Sequence, residues 1–281
     1  MFEQLTNWDR EYANGDFVVG SDAMITQWDT DAQACRDSLG ERVAQHAYGD
    51  APRQVLDLIQ PQASAGDVKG LAVFIHGGYW LRLDKNSFTH LAQGALARRW
   101  AVAIPSYRLA SNADSARLGS CVEDVRAAVA YAAALVEGPI RVAGHSAGGQ
   151  LTSMLAYRDE PWAGWLEHLV SISGVHDLRP LLRTSMRELL KLSEQDARAL
   201  SPALLEPAAK VPVTAWVGSS ERPEFLRQTR QLVDNWVGLG MAMQQVVERG
   251  KHHFDVIDGL ADAASPLTRC WLGELPTDIT P

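Results

Sequence analysis

The distribution of apolar and polar positions changes character at Lys69. Before that point apolar residues are scattered among polar ones and aromatics (Trp8, Tyr12, Phe17, Trp28), and helical spacing predicts one helix over about 22–46. This first segment is expected either to cross the mouth of a pocket or to pack against a sheet. Two short strand-like runs, 45–48 and 54–59, flank Gly49-Asp50-Ala51-Pro52, which reads as a hairpin turn and gives the sheet an antiparallel start.

From Lys69 onward apolar strands alternate with amphipathic helices. Leu71-Ala72-Val73-Phe74-Ile75 is a continuous apolar run, the pattern of a strand buried on both faces. Phe88, Leu91, Ala92, Ala95 and Leu96 then fall on one side of a helix, and 100–105 is the next strand. A longer stripe at helical spacing, Leu118, Val122, Val125, Val129, Ala132 and Val136, leads through Gly138-Pro139 into a strand that ends just before Ser146. A helix over 150–157, strands over 168–173 and 211–217, a helix over 223–236 and a last strand over 242–247 follow. This βαβα order predicts an α/β fold: a mostly parallel central sheet with helices on both faces. The stretch 176–202, helical in composition (Leu181, Leu182, Met186, Leu189, Leu190), is longer than a simple crossover and is expected to form a small helical cap; a longer pair of crossover helices is the alternative. No linker or internal repeat divides the chain, so 1–281 is expected to be a single domain.

Composition narrows the function. With 46% hydrophobic residues the 281-residue chain can bury a sizeable core, and a net charge of −8 without a basic stripe argues against a nucleic-acid partner. Residues 1–6 lack the basic and apolar regions of a signal peptide, and no apolar run is long enough to span a bilayer. Cys35, Cys121 and Cys270 are odd in number and widely spaced, as expected of reduced thiols, and a cytoplasmic protein with no membrane partner follows. Oligomeric state is open, a homodimer included.

The candidate chemistry begins at Gly144-His145-Ser146-Ala147-Gly148, a G-x-S-x-G strand-to-helix turn that would raise the Ser146 hydroxyl to where a base can reach it. A Cβ at Gly144 or Gly148 would collide with the neighbouring strand or helix. The base and its orienting acid should follow in that order-reversed sense, acid then histidine. Of His168, His176, His252 and His253, the last two come after the final strand; His253, directly before Phe254, is the preferred base and His252 a solvated neighbour. Glu221, in the loop after strand 211–217, is the preferred acid, with Glu224 in the first turn of the next helix and Asp177 as alternatives. His76-Gly77-Gly78-Tyr79-Trp80, after strand 71–75, would turn the N–H groups of Gly77 and Gly78 toward Ser146, joined by that of Ala147, as oxyanion donors; His76 is expected to prop this loop.

These motifs, with Ser106-Tyr107-Arg108-Leu109, Glu224-Phe225 followed by Arg227-Gln228, and His253-Phe254, resemble the α/β-hydrolase esterase/lipase family, specifically its kynurenine formamidase (arylformamidase)-like branch. Tyr-Trp after the paired glycines is what points to that branch. The resemblance spans roughly 12–260. It implies an α/β-hydrolase fold, Ser146 as nucleophile, His253 as base, Glu221 as acid where many members carry Asp, and Gly77, Gly78 and Ala147 as oxyanion donors. The implied activity is serine-dependent hydrolysis of an aryl formamide, N-formyl-L-kynurenine to kynurenine and formate, through a formyl-enzyme; a carboxylesterase for short acyl esters is the alternative, and a silent ligand-binding fold a third. Tyr79, Trp80 and Tyr107 are candidates to stack on a substrate ring, the other reading of Tyr107 and Arg108 being that they brace the oxyanion loop. No H-E-x-x-H or comparable metal-ligand cluster is present, so neither metal nor other cofactor is expected.

Overall fold

The computed structural model describes residues 7–110, 117–158 and 160–274; residues 1–6, on which the reading of the leader rests, lie outside it. The chain opens with α1 (Trp8–Tyr12), α2 (Asn14–Phe17) and α3 (Ser21–Leu39). The third helix stops well short of the expected His46, because Gly40 leaves the helix with φ 54° and frees the chain to enter a strand. That strand, β1 (Val43–Ala47), pairs antiparallel with β2 (Val55–Ile59), Val43 lying opposite Ile59. The parallel part follows: β3 (Leu71–Ile75), a 3-10 turn (Thr89–Ala92) running into the short α4 (Gln93–Ala97), β4 (Ala101–Pro105), α5 (Leu118–Ala133), β5 (Ile140–His145), α6 (Ala147–Met154) and β6 (Leu166–Ile172). Between β6 and the next strand stand a 3-10 turn (Arg179–Arg183), α7 (Met186–Leu190) and α8 (Glu194–Ala199), where the cap was expected. The chain ends with β7 (Val213–Gly218), α9 (Pro223–Gly238), β8 (Met243–Glu248) and α10 (Pro266–Trp271).

The strands form one sheet in the order β1-β2-β4-β3-β5-β6-β7-β8. β2 is antiparallel to both neighbours, and every pairing from β4 to β8 is parallel. Strand alternation divides the apolar side chains between the two faces. Leu71, Val73 and Ile75 of β3 share one core with Val125 of α5, Leu151 of α6 and Phe225 of α9, whereas Ala72 and Phe74 belong to the opposite core with Trp28, Phe88 and Trp271. Burying a side chain such as Phe74 contributes roughly 1.5–3 kcal/mol, and β3 to β7 carry such residues on both faces, which is why they read as unbroken apolar runs.

The carboxyl ends of five parallel strands meet at one edge. Gly77 follows β3, Ser146 follows β5, Ser173 follows β6, Glu221 follows β7 and His253 follows β8. Such a crevice beyond the strand ends is where open α/β sheets place their sites.

Candidate active site

Ser146 occupies the one-residue corner between β5 and α6 with φ 55° and ψ −115°. A non-glycine residue held there costs on the order of 1–3 kcal/mol, and the surroundings hold it: the Ser146 N–H donates to the Ile172 carbonyl (2.8 Å) and its carbonyl accepts from Gly149 N–H (2.9 Å). The flanking glycines are required by space. A Cβ on Gly148 would lie 2.1 Å from the Ile75 carbonyl oxygen, and one on Gly144 would lie 2.2 Å from that of Gly148.

His253 Nε2 lies 3.1 Å from Ser146 Oγ, and His253 Nδ1 lies 2.7 Å from Glu221 Oε2. Glu221 is buried, and its other oxygen accepts from the Gly218 N–H (2.9 Å) and from the Ser173 hydroxyl. Of the three carboxylates considered from sequence, only Glu221 touches the imidazole. Glu224 is buried on α9, where it accepts from Tyr12 Oη (2.6 Å), Gln228 Nε2 (2.8 Å) and Arg227. Asp177 binds Arg179 and Gln231. His252 turns away: its Nδ1 accepts from the N–H groups of Phe254 and Asp255, each at 3.2 Å.

His145, inside the elbow motif, escaped the sequence reading. It is fully buried, its ring lies 4.7 Å from that of His253, and its Nε2–H donates to the His253 carbonyl (2.9 Å). Burial first, and the adjoining His253 second, hold its pKa well below the usual imidazole range, so it is a neutral donor that fixes the backbone of His253.

The loop after β3 passes Gly77 against Ser146, a Cβ there lying 3.1 Å from Ser146 Cβ, and then turns through Gly78 (φ 109°), Tyr79 (φ 57°) and Trp80 (φ 60°). The N–H groups of Gly77, Gly78 and Ala147 have no hydrogen-bond acceptor among the described residues. His76 lies sandwiched behind the loop, its ring stacked on Tyr107 at 4.4 Å and on Phe88 at 5.8 Å, with Nδ1–H donating to the Gly77 carbonyl (2.7 Å). Burial lowers its pKa to about 4, which keeps it neutral and suits a prop. Tyr107 is likewise fully buried, and its hydroxyl donates to the His76 carbonyl (3.0 Å). It therefore stands behind the loop rather than in the space before Ser146, where the stacking role would need it; bracing is the reading its position fits. Trp80 is buried too, its Nε1–H donating to Gln150 Oε1 (3.0 Å), while Gln150 Nε2 donates to the Leu200 carbonyl (2.9 Å). Gln150 thus joins the loop, the elbow helix and the 176–202 stretch.

Two small spaces flank Ser146. One, about 10 Å³, is bounded by Tyr12, Tyr79, Trp80, Val175, Met186 and Phe225. The other, about 20 Å³, holds His253 and Gly78 and is bounded by Trp28, Tyr79, Arg82 and Phe254. Each has room for about one water. An outer cavity of about 310 Å³ shares Tyr12, Tyr79 and Met186 with the first space and Tyr79 and Arg82 with the second, and is also walled by Leu189. The first segment therefore has both of its expected fates. Trp28 packs on the sheet, whereas α1 lies across the pocket, held by Tyr12 on Glu224, by Glu11 on Arg222, and by Asp9 Oδ1, which accepts from Ser185 N–H at 2.7 Å.

A strained serine elbow at the edge of a parallel sheet is the arrangement of an α/β-hydrolase, and comparisons with known proteins agree. The BD-FAE family profile matches residues 56–226. The chain is 30% identical over 240 residues to the kynurenine formamidase of Danio rerio, covering 80% of this chain and 79% of that one. Among solved structures, a candidate thioesterase from Silicibacter sp. tm1040 superposes with a TM-score of 0.89 at 39% identity over 95% of this chain and 99% of the other. An esterase of Thermogutta terrifontis shares the fold, with a TM-score of 0.65 at 18% identity over 84% of this chain and 97% of that one. The chain belongs to the BD-FAE family of α/β-hydrolases, in its kynurenine formamidase-like branch. It is a hydrolase, and among the described residues no helix is long and apolar enough to cross a membrane.

Proposed function

We propose that the protein is a serine hydrolase that cleaves an aryl formamide, N-formyl-L-kynurenine or a near relative, through a formyl-enzyme on Ser146. His253 Nε2 takes the Ser146 proton as Oγ attacks the formyl carbon, and Glu221 holds the Nδ1–H and stabilises the imidazolium. The oxyanion accepts from Ala147 N–H and the Gly77–Gly78 loop, each such donor being typically worth about 10²–10³ in rate. His253 then returns the proton to the departing aryl nitrogen as the C–N bond breaks. A water activated by the same imidazole hydrolyses the formyl ester, releasing formate and restoring Ser146.

The observation that carries this reading is the unequal furnishing of the two sides of Ser146. The group that protonates the leaving atom must face it, so the side holding His253, with Trp28 and Phe254 around it, is the leaving-group side, Tyr79 being shared by both. The opposite side, closed by Trp80, Val175 and Phe225, has about 10 Å³, which suits an acyl group of a single carbon. We read 176–202 as a cap on this side, since it supplies Met186, and the protein as a cytoplasmic enzyme, a reading supported by three free buried thiols. Acyl transfer from a short ester or thioester is the second reading, favoured by the 39% identity to the candidate thioesterase. Steady-state kcat/KM for N-formyl-L-kynurenine against aryl formate, acetate and butyrate esters decides between them. The formamide should equal or exceed the best ester and turnover should fall with acyl length; undetectable formamide cleavage beside brisk acetate or butyrate cleavage gives the site to the second reading.

A further inference from the structure

One cation at the pocket is left without an acidic partner. Arg36, Arg108, Arg126, Arg179, Arg222 and Arg227 each pair with a carboxylate. Arg82 pairs with none among the described residues; its guanidinium lies over the Tyr79 ring, 5.6 Å from the centroid. It is the one charged side chain to border both the outer cavity and the small space containing Ser146 and His253, among the residues lining the two. The one acid among the residues lining the outer cavity, Asp9, already accepts from the Ser185 N–H and hydroxyl.

The backbone of Arg82 is built into the same loop that is to carry the oxyanion donors. Its N–H donates to the Gly78 carbonyl (3.1 Å), and a Cβ on Gly78 would lie 2.2 Å from the Arg82 carbonyl oxygen. The guanidinium therefore keeps a fixed origin relative to Ser146, on the side where His253 faces the leaving group. An arginine fork matches a carboxylate with two parallel N–H···O bonds, and stacking on Tyr79 limits the orientations that it has to give up. On a chain of net charge −8, an unpaired cation at the pocket mouth also gives an anionic ligand its favourable approach.

We infer that Arg82 is a receptor for a carboxylate on the leaving group, so that the substrate class is an aryl formamide or aryl ester whose leaving group is anionic. The inference rests on the assignment of His253 to the leaving-group side. Arg82 is in these terms a specificity residue that acts on the part of the substrate away from the reacting bond.

The test uses two matched pairs: N-formyl-L-kynurenine against its decarboxylated amine, and 3-(3-acetoxyphenyl)propionate against 3-ethylphenyl acetate. In the wild-type enzyme the carboxylate member of each cleaved pair should have the higher kcat/KM, with the difference in KM and shrinking as salt is raised. Arg82→Gln should reduce the ratio within a pair by about 10- to 100-fold, the usual worth of a charge-assisted hydrogen bond, and abolish its salt dependence. Arg82→Lys should fall between, keeping the charge and losing the fork. Equal losses on both members of a pair would mean that Arg82 only supports the loop, and a wild-type enzyme indifferent to the carboxylate would likewise overturn the inference. If the formamides are inert and the ester pair still shows the Arg82-dependent ratio, the formamidase reading fails and the carboxylate receptor stands.

Discussion

Ser173 donates its hydroxyl to the oxygen of Glu221 that His253 does not use. Ser173 itself sits at the end of β6 with φ 53°, its N–H tied to the Trp216 carbonyl at 2.7 Å, so the corner after β6 is shaped to aim a hydroxyl at the acid of the neighbouring strand. Ser173→Ala should leave Glu221 with the Gly218 N–H alone on that oxygen. Turnover should fall by about 10- to 100-fold, the cost of one hydrogen bond to a charged group, against a far larger loss in Glu221→Gln. Comparable kcat/KM values for the two variants would mean that the acid is not held by Ser173.

Ser146→Ala should lose several orders of magnitude in kcat, and His253→Ala about as much, because the two act as one unit. His252→Ala should instead be read in stability. His252 accepts two backbone N–H bonds in the turn before Val256, so its loss should cost about 1 kcal/mol, seen as a lower urea midpoint with kcat retained. A dead His252→Ala enzyme would reassign the base.

Val175→Ala should widen the narrow side of Ser146. Removing two buried methyl groups should cost roughly 1–2.5 kcal/mol of stability, and in exchange butyrate esters should gain on formates and acetates by about 10-fold in relative kcat/KM. Unchanged acyl preference would show that this space does not receive the acyl group. Trp80→Ala, a larger opening, also removes the bond to Gln150 and should lower stability by about 3–5 kcal/mol, which makes it the less informative variant.

His76, His168 and His176 are buried, and burial lowers their pKa values to about 4, about 4 and about 3. In the unfolded chain each would titrate near 6.5. Below that value the unfolded chain binds protons that the native one refuses, so this contribution is present in full above about pH 6.5 and is lost as the pH falls toward 4 and 3. The urea midpoint should accordingly decline from about pH 7 to about pH 5. A midpoint that rises over this interval would show that these imidazoles are charged in the native protein.

Much of this was legible in the residues. Leu71–Ile75 and its counterparts are apolar on both faces because the sheet is covered on both, and the elbow glycines at 144 and 148 mark a turn no other residue could make. The same is true of the order in which Ser146, Glu221 and His253 follow β5, β7 and β8. Other parts carried no linear signal. Ser173 reads as an ordinary strand residue, and its direction depends on a left-handed φ that periodicity does not encode. Gln150 looks like any helix-surface polar residue until Trp80 and Leu200 arrive from elsewhere in the chain. Tyr107 could stack on a substrate ring or brace the loop as far as its sequence position tells, and only the folded chain shows its side chain stacked on His76 with its hydroxyl on the His76 carbonyl. The overlong first helix failed on a single point: Gly40 ends what the side-chain pattern would have continued.

The ties of α1 to α9 have a consequence for the history of each molecule. Tyr12 meets Glu224 and Glu11 meets Arg222 across separations of 212 and 211 residues, so the first helix emerges during synthesis long before its partners exist. Contacts this distant form late, after the intervening strands have assembled. A ribosome-bound chain has an unwalled pocket until α9 is complete at Gly238, and it has no His253 until after β8. With His253 as the proposed base, the growing polypeptide is chemically silent for nearly its whole length, and hydrolytic competence comes only after the pocket has been walled.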